Sequence, residues 1–465
     1  MFDHLSDALI YQVNTRPEQV ALVTLCKQKV LSLNWGELAA RVQQRADELN
    51  RVFDLSPHLP RIVGYSSRNS LGDMVTSLAC PFAHAIEAPF DYQVPNVRES
   101  FDRLLGGHWM ANTQCDLSTK SKSSLSINSI DIDSAALILW TSGTTAKPKG
   151  VTLSHRNLCG NAAAKLTAVP QSHEDARLTA LPICHAYART CDLGTWLISG
   201  CTLALGLGFD AWQTLGPVVQ PTLANTAPSL AARLLAANVN DIGISKLKVL
   251  GCGGAAMSSE DFETWKQRGV TVIQGYGLTE TSPVICSATP SNASAGLVGD
   301  FVDGWEHDIR DGQLFVRSPH VMQGYWSDPQ ETAIRIDQDG WFDTRDIVER
   351  DEQSGQIRIL GRIDDVIVLE NGRKVHPQAI EKQIAQIGEV RHAMLVADGR
   401  DLRVWLDAEP IDDALAKIAK QLTGRPSWEV PRKVSYFDRP LTQQHGDLTG
   451  KGTIRRSVLR DKMGQ

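Results

Sequence analysis

The sequence predicts an α/β protein: a large amino-terminal region built on α/β sheets, then a small antiparallel β-barrel, then a small α+β unit. Three observations carry this. Helical and strand patterns alternate through the first hundred residues, as a mainly parallel sheet requires. Short strands separated by turn signals fill residues 312–360. A fresh α+β pattern begins after Gly361. A chain of 465 residues holds about two to four domains and a core large enough to need no covalent staple.

In chain order, Asn34-Trp35-Gly36-Glu37 opens an amphipathic helix through Leu49, with Leu38, Val42 and Leu49 on one side. Arg61 to Tyr65 reads as a buried strand and residues 71–80 as a helix. Residues 116–134 are rich in Ser, Asp, Asn and Lys and form a polar connector. Ala135 to Trp140 is an apolar strand, as is Leu247 to Leu250. Leu314 to Arg317, Ile347 to Arg350 and Gln356 to Leu360 are the short later strands. The turn signals Asp311-Gly312, Asp339-Gly340 and Ser354-Gly355 stand between them. A boundary near 361–364 divides the chain into 1–361 and 362–465. No repeat of fixed period is visible.

Composition excludes several classes. The net charge of -6 and pI near 6.1 do not suit a chain-wide nucleic-acid surface. Nine cysteines, an odd count without a CxxC pair, fit buried thiols in a reducing compartment rather than a disulfide framework or zinc site. The start MFDHLSDALIYQV has no basic segment followed by an apolar one, so no signal peptide is expected. The apolar run Ala135 to Trp140 is far too short to cross a bilayer. The expected location is cytoplasmic, with no transmembrane segment.

The sharpest local signal is Thr141-Ser142-Gly143-Thr144-Thr145-Ala146-Lys147-Pro148-Lys149-Gly150, directly after the apolar strand. Glycine lets backbone N–H groups close on an anion. Hydroxyls add hydrogen bonds and lysine adds charge. The Walker spacing is absent. By composition alone the favoured reading is a flexible loop with solvated lysines. Further segments stand out in order: Leu181-Pro182-Ile183-Cys184-His185, Gly251-Cys252-Gly253-Gly254-Ala255-Ala256, Gln274-Gly275-Tyr276-Gly277-Leu278-Thr279-Glu280-Thr281, Gly340-Trp341-Phe342-Asp343-Thr344-Arg345-Asp346, Gly361-Arg362-Ile363-Asp364-Asp365, Asn371-Gly372-Arg373-Lys374, and Asp447-Leu448-Thr449-Gly450-Lys451-Gly452.

Together these resemble the motifs of the adenylate-forming superfamily of acyl- and aryl-CoA synthetases, peptide-synthetase adenylation domains and luciferase, from about residue 10 to 460. Three positions depart from its pattern: Ala146 and Arg345 stand where glycine is usual, and Val368 stands where many members carry a lysine. The resemblance implies an ATP-dependent acid–thiol ligase that forms an acyl-AMP and passes the acyl group to coenzyme A. It implies that Thr141, Ser142, Gly143, Thr144, Thr145 and Lys149 hold phosphates. Gly254, Ala255 and Tyr276 face adenine, which a flat ring can stack on. Thr279 reaches the α-phosphate, and Glu280 offers magnesium a hard oxygen. Asp346 takes both ribose hydroxyls, with Arg362 beside it. The resemblance also implies that His185 lies by the acyl pocket, that Asp364 is the hinge of a mobile carboxyl-terminal lid, that Gly372 lies on the loop that meets the thiol tunnel, and that Lys451 is catalytic.

The implied cofactors are ATP, Mg2+ and coenzyme A, or a carrier protein's phosphopantetheine. No acid follows His185 before Asp192, which favours a non-amino acid, aryl or fatty acyl. Two alternatives stand: an adenylation enzyme loading an acyl carrier protein, and a nucleotide-binding protein without catalysis.

Overall fold

The computed structural model describes residues 2–94, 96–110, 125–127, 129–141, 149–442, 444–448 and 453–463, with residues 461–463 described by backbone alone. Residues 111–124, which take in the start of the polar connector, its Asn128, Ser142 to Pro148 and Thr449 to Gly452 lie outside the described residues.

A nine-stranded sheet runs in the order 300–301, 284–287, 271–277, 249–252, 223–226, 176–179, 202–205, 20–26, 29–34. Its six strands from 271–277 to 20–26 are parallel neighbours. A second sheet has six strands, ordered 324–325, 149–154, 135–141, 86–91, 62–67, 108–109. The helices Trp35–Leu55 and Leu71–Ala79 share one core with both sheets. Their starts are fixed locally: the Asn34 side chain accepts from Glu37 N while Glu37 reaches back, and Ser70 and Asp73 do the same. Buried Leu38, Val42 and Leu49 then pack against Leu22 and Val63, and Trp35 stacks on Trp196 at 5.0 Å.

The third sheet is antiparallel, ordered 306–310, 313–317, 342–350, 357–362. It is an open sheet and not the barrel the sequence suggests; four strands are too few to close on themselves around filled side chains. Its first hairpin turns at Asp311 and Gly312, both left-handed at φ 50° and 82°, the geometry of a two-residue type I′ turn. Its inner face, with Leu314, Val316, Phe342 and Val348, joins Leu139 and Val151 of the second sheet and Ile285 of the first in one apolar cluster. Three sheets therefore meet beside the end of the 271–277 strand.

After Arg362 a short turn, Ile363–Asp365, leads to a two-stranded and a three-stranded sheet with the helices Pro377–Ile384 and Ala414–Gln421. The apolar clusters built there draw only on residues from Ile367 to Leu459. Among the described residues all eight cysteines are free and all but Cys26 are buried. No helix there is long and apolar enough to cross a membrane.

Candidate nucleotide and acyl site

The parallel strands end together, and their carboxyl ends are where an open α/β sheet offers a binding crevice. Tyr276 is the last residue but one of the 271–277 strand, and its hydroxyl donates to Asp346 Oδ2 at 2.5 Å. Asp346 is placed by register, because antiparallel pairing sets it opposite Arg362. Arg362 Nη1 reaches Asp346 Oδ1 at 3.3 Å and the Thr344 carbonyl at 3.1 Å. Burial pushes the Asp346 carboxyl above its ordinary value, while Arg362 and Tyr276 draw it back. Burial, and then the neighbouring Asp346, push the Tyr276 phenol well above its own. The phenol therefore stays a donor, and one buried carboxylate is held by a ring hydroxyl and a guanidinium.

Thr279 and Glu280 follow in the turn Thr279–Thr281. Glu280 is buried, and its Oε1 accepts from the Tyr325 hydroxyl at 2.8 Å. Among the described residues its second oxygen carries no hydrogen bond. Lys149 lies over the same Tyr325 ring, 5.2 Å from its centre, and pairs with Glu331. Thr141 stands opposite Lys149 in the strand pair that brackets the phosphate-loop sequence. Ser142, Gly143, Thr144 and Thr145 lie outside the described residues, and so does Lys451. A buried carboxylate whose second oxygen is unbonded among the described residues, with Lys149 over the same Tyr325 ring, suits magnesium, which is usually held by one or two carboxylates plus phosphate oxygens.

The strand 249–252 runs beside 271–277 with Gly251 opposite Ile273 and Cys252 opposite Gln274. It delivers Gly254 (φ 82°) and Ala255, both exposed, next to the Tyr276 end. Gly251 and Gly253 are required by close approach. A Cβ at Gly251 would collide with Asn225 Oδ1, and one at Gly253 would lie 2.9 Å from the Tyr187 ring. The Tyr187 hydroxyl donates to Asn225 Oδ1 at 3.2 Å. Asn225 Nδ2 in turn donates to Asp192 Oδ1 at 2.7 Å and to the Cys191 carbonyl at 3.0 Å. Asp192, wholly buried, forms an ion pair with Arg177 at 2.7 Å.

His185 stands at the start of the same helical stretch, with Nε2 3.3 Å from Asp91 Oδ2 at the end of the 86–91 strand. Asp91, Cys184 and His185 are the one group of metal-type side chains clustered among the described residues. Asp364 sits in the turn after Arg362 and is gripped by Arg345, with Nε 3.0 Å from Oδ2. Gly372 (φ 78°) is in an exposed turn where an added Cβ would meet nothing within 4 Å. It is not brought against the other site residues. Sequence reasoning missed Tyr325 under Glu280, Asp91 against His185, and the Arg345 grip on Asp364. Each joins segments remote in sequence, and no local pattern marks them.

A tyrosine, a buried aspartate and an arginine thus meet at the end of the 271–277 strand, and a buried glutamate stands in the turn that follows. The family description "AMP-binding enzyme" matches residues 104–326, and that of the "AMP-binding enzyme C-terminal domain" matches 364–417. The chain belongs to the AMP-binding enzyme family. It is 26% identical to a feruloyl-CoA synthase of Amycolatopsis sp, over 91% of this chain and 94% of that protein. It is 30% identical to an indoleacetate–CoA ligase of Aromatoleum aromaticum, over 70% and 67%. In fold it is similar to the anthranilate CoA ligase AuaEII in complex with anthranoyl-AMP, with a TM-score of 0.83 at 18% identity over 99% of this chain and 97% of that one. ATP-bound MatB of Rhodopseudomonas palustris gives a TM-score of 0.83 at 22% identity over 99% of each chain.

Proposed function

We propose that the protein joins a non-amino carboxylic acid to coenzyme A by way of an acyl-adenylate. The carrying observation is the Tyr276–Asp346–Arg362 set beside Glu280, in a chain whose family uses this chemistry. In the first half-reaction the acid's carboxylate oxygen attacks the α-phosphorus of ATP. The bond from that phosphorus to the bridging oxygen breaks, and pyrophosphate leaves. In the second half-reaction the thiol sulfur attacks the acyl carbon, the bond to the AMP oxygen breaks, and the thiol proton leaves to solvent. We assign Tyr276 to the adenine face, Asp346 and Arg362 to the ribose, and Thr279 to the α-phosphate. Gly254 and Ala255 flank the base, and His185 stands by the acyl group. Glu280 would hold magnesium, whose charge offsets that of the phosphates. We place the division between a nucleotide-binding unit and a lid at 361/362, with Asp364 as pivot, Gly372 toward the thiol and Lys451 acting in the first half only.

The acid we propose is compact, such as a single-ring aryl acid. Tyr187 lies across Gly251 and Gly253, with its hydroxyl on Asn225. Asp192 is taken by Arg177 and Asn225, so it is not offered to a substrate ammonium. Tyr187→Ala is expected to raise kcat/KM for longer acids by about ten- to a hundredfold, the worth of an opened apolar subsite, measured by pyrophosphate release across a chain-length series. An unchanged length preference would remove Tyr187 from the pocket.

The activity itself is tested with a carboxylic acid panel in a pyrophosphate-release assay, followed by transfer to free coenzyme A or to a phosphopantetheinyl carrier protein. Acid-dependent pyrophosphate and a coenzyme A thioester support the reading. Transfer to the carrier alone would replace the acceptor, and no release with any acid would contradict the reaction.

A further inference from the structure

Arg345 breaks a rule of backbone chemistry. Its φ is 59°, in the left-handed region where glycine is comfortable and a long side chain is strained. The resembled motif usually has glycine at this position, the residue that takes up this conformation without strain. A strained residue persists where its surroundings use it. Its N–H is fixed by Asp343 Oδ1 at 2.7 Å. Its guanidinium presents a fork to Asp364: Nε is 3.0 Å from Oδ2, and Nη2 bonds Oδ1. That is the planar two-point grip that lysine cannot copy.

Asp364 lies where the chain crosses between two bodies of structure. The strand Ile357–Arg362 belongs to the antiparallel sheet, and the apolar clusters beyond the turn draw only on residues from Ile367 to Leu459. Polar contacts also cross the junction. Lys382 Nζ donates to the carbonyls of Ala256 at 3.0 Å and Met257 at 2.7 Å. A polar junction with a short connector is the kind that moves. Arg362 spans both sides: Nη1 is on Asp346, while Nη2 is 3.8 Å from Asp364 Oδ2. A ribose that engages Asp346 and Arg362 leaves Arg345 as the firm holder of Asp364.

We propose that Arg345 is a positioning residue that clamps Asp364 and sets the connector between the nucleotide site and the carboxyl-terminal unit. It thereby sets the balance between the two half-reactions. The inference rests on the reaction proposed above. The pair is about one-third exposed on each side, 34% and 34%, so a mere surface ion pair would contribute little. The clamp differs from such a pair in where it acts.

The test uses Arg345→Gly, which keeps the backbone conformation and removes the fork, and Arg345→Lys, which keeps the charge alone. Three quantities are read on the full chain: acid-dependent ATP–pyrophosphate exchange, thioester formation from supplied acyl-adenylate, and amide hydrogen exchange over residues 363–368. Arg345→Gly is expected to change the ratio of the two rates by about fivefold or more. It should also speed exchange at 363–368, with the thermal midpoint held or raised. Arg345→Lys should fall between it and the natural protein.

Equal loss of both rates, or an unchanged ratio, overturns the clamp, as does unaltered exchange at 363–368. If the natural protein performs neither half-reaction, the reaction reading fails on its own account. The hydrogen-exchange comparison then decides the clamp by itself.

Discussion

Lys451→Ala is expected to lower acid-dependent ATP–pyrophosphate exchange by about a hundred- to a thousandfold, the cost of one lost donor of about 3–4 kcal/mol to a developing charge. Thioester formation from supplied acyl-adenylate should be spared. The asymmetry follows from charge. In the first half an anionic carboxylate approaches a polyanionic triphosphate, and a cation at the α-phosphorus offsets that repulsion most where charge develops. In the second half the leaving group is AMP and the attacking atom is sulfur, so on the proposed reading, in which Lys451 acts in the first half only, its loss costs nothing there. Full pyrophosphate exchange in this variant would remove Lys451 from the mechanism, and equal loss of both halves would contradict its restriction to the first.

Glu280→Gln should have an effect of similar size on the same half-reaction, about a hundred- to a thousandfold, for a different reason. Glutamine can still accept from Tyr325, whose hydroxyl bonds Glu280 Oε1 at 2.8 Å, so the buried contact and the fold survive. What is lost is the charged oxygen available to a hard cation. The magnesium concentration for half-maximal exchange should rise along with the loss of rate, and the melting temperature should stay within a few degrees. A variant with natural rate and natural magnesium dependence would show that Glu280 serves only as a partner to Tyr325.

Much of this arrangement was legible in the sequence because it is local. The helix from Trp35 is announced by Asn34 and Glu37, which cap it as the spacing requires. Asp311-Gly312 turns the hairpin it signals. Tyr276 and Glu280 sit on one strand end and its following turn, four residues apart. What was not legible is pairing at a distance. Tyr325 meets Glu280 from 45 residues away, and Arg345 meets Asp364 from 19. No periodicity reports such contacts.

The strand Glu306–Arg310 escaped notice because its side chains are mostly exposed and charged, with no apolar alternation. That is how an edge strand avoids pairing with other chains. The barrel expectation failed for a related reason: strand signals count strands but do not show whether the outer two meet.

The most direct measurement is a structure of the protein with bound ATP. Adenine should lie between Tyr276 and the Gly254–Ala255 turn, both ribose hydroxyls should rest on Asp346 with Arg362 alongside, and the phosphates should point toward Glu280 and Lys149. A nucleotide bound elsewhere, with Asp346 still closed against Tyr276 and Glu280 turned from the phosphates, would contradict the account.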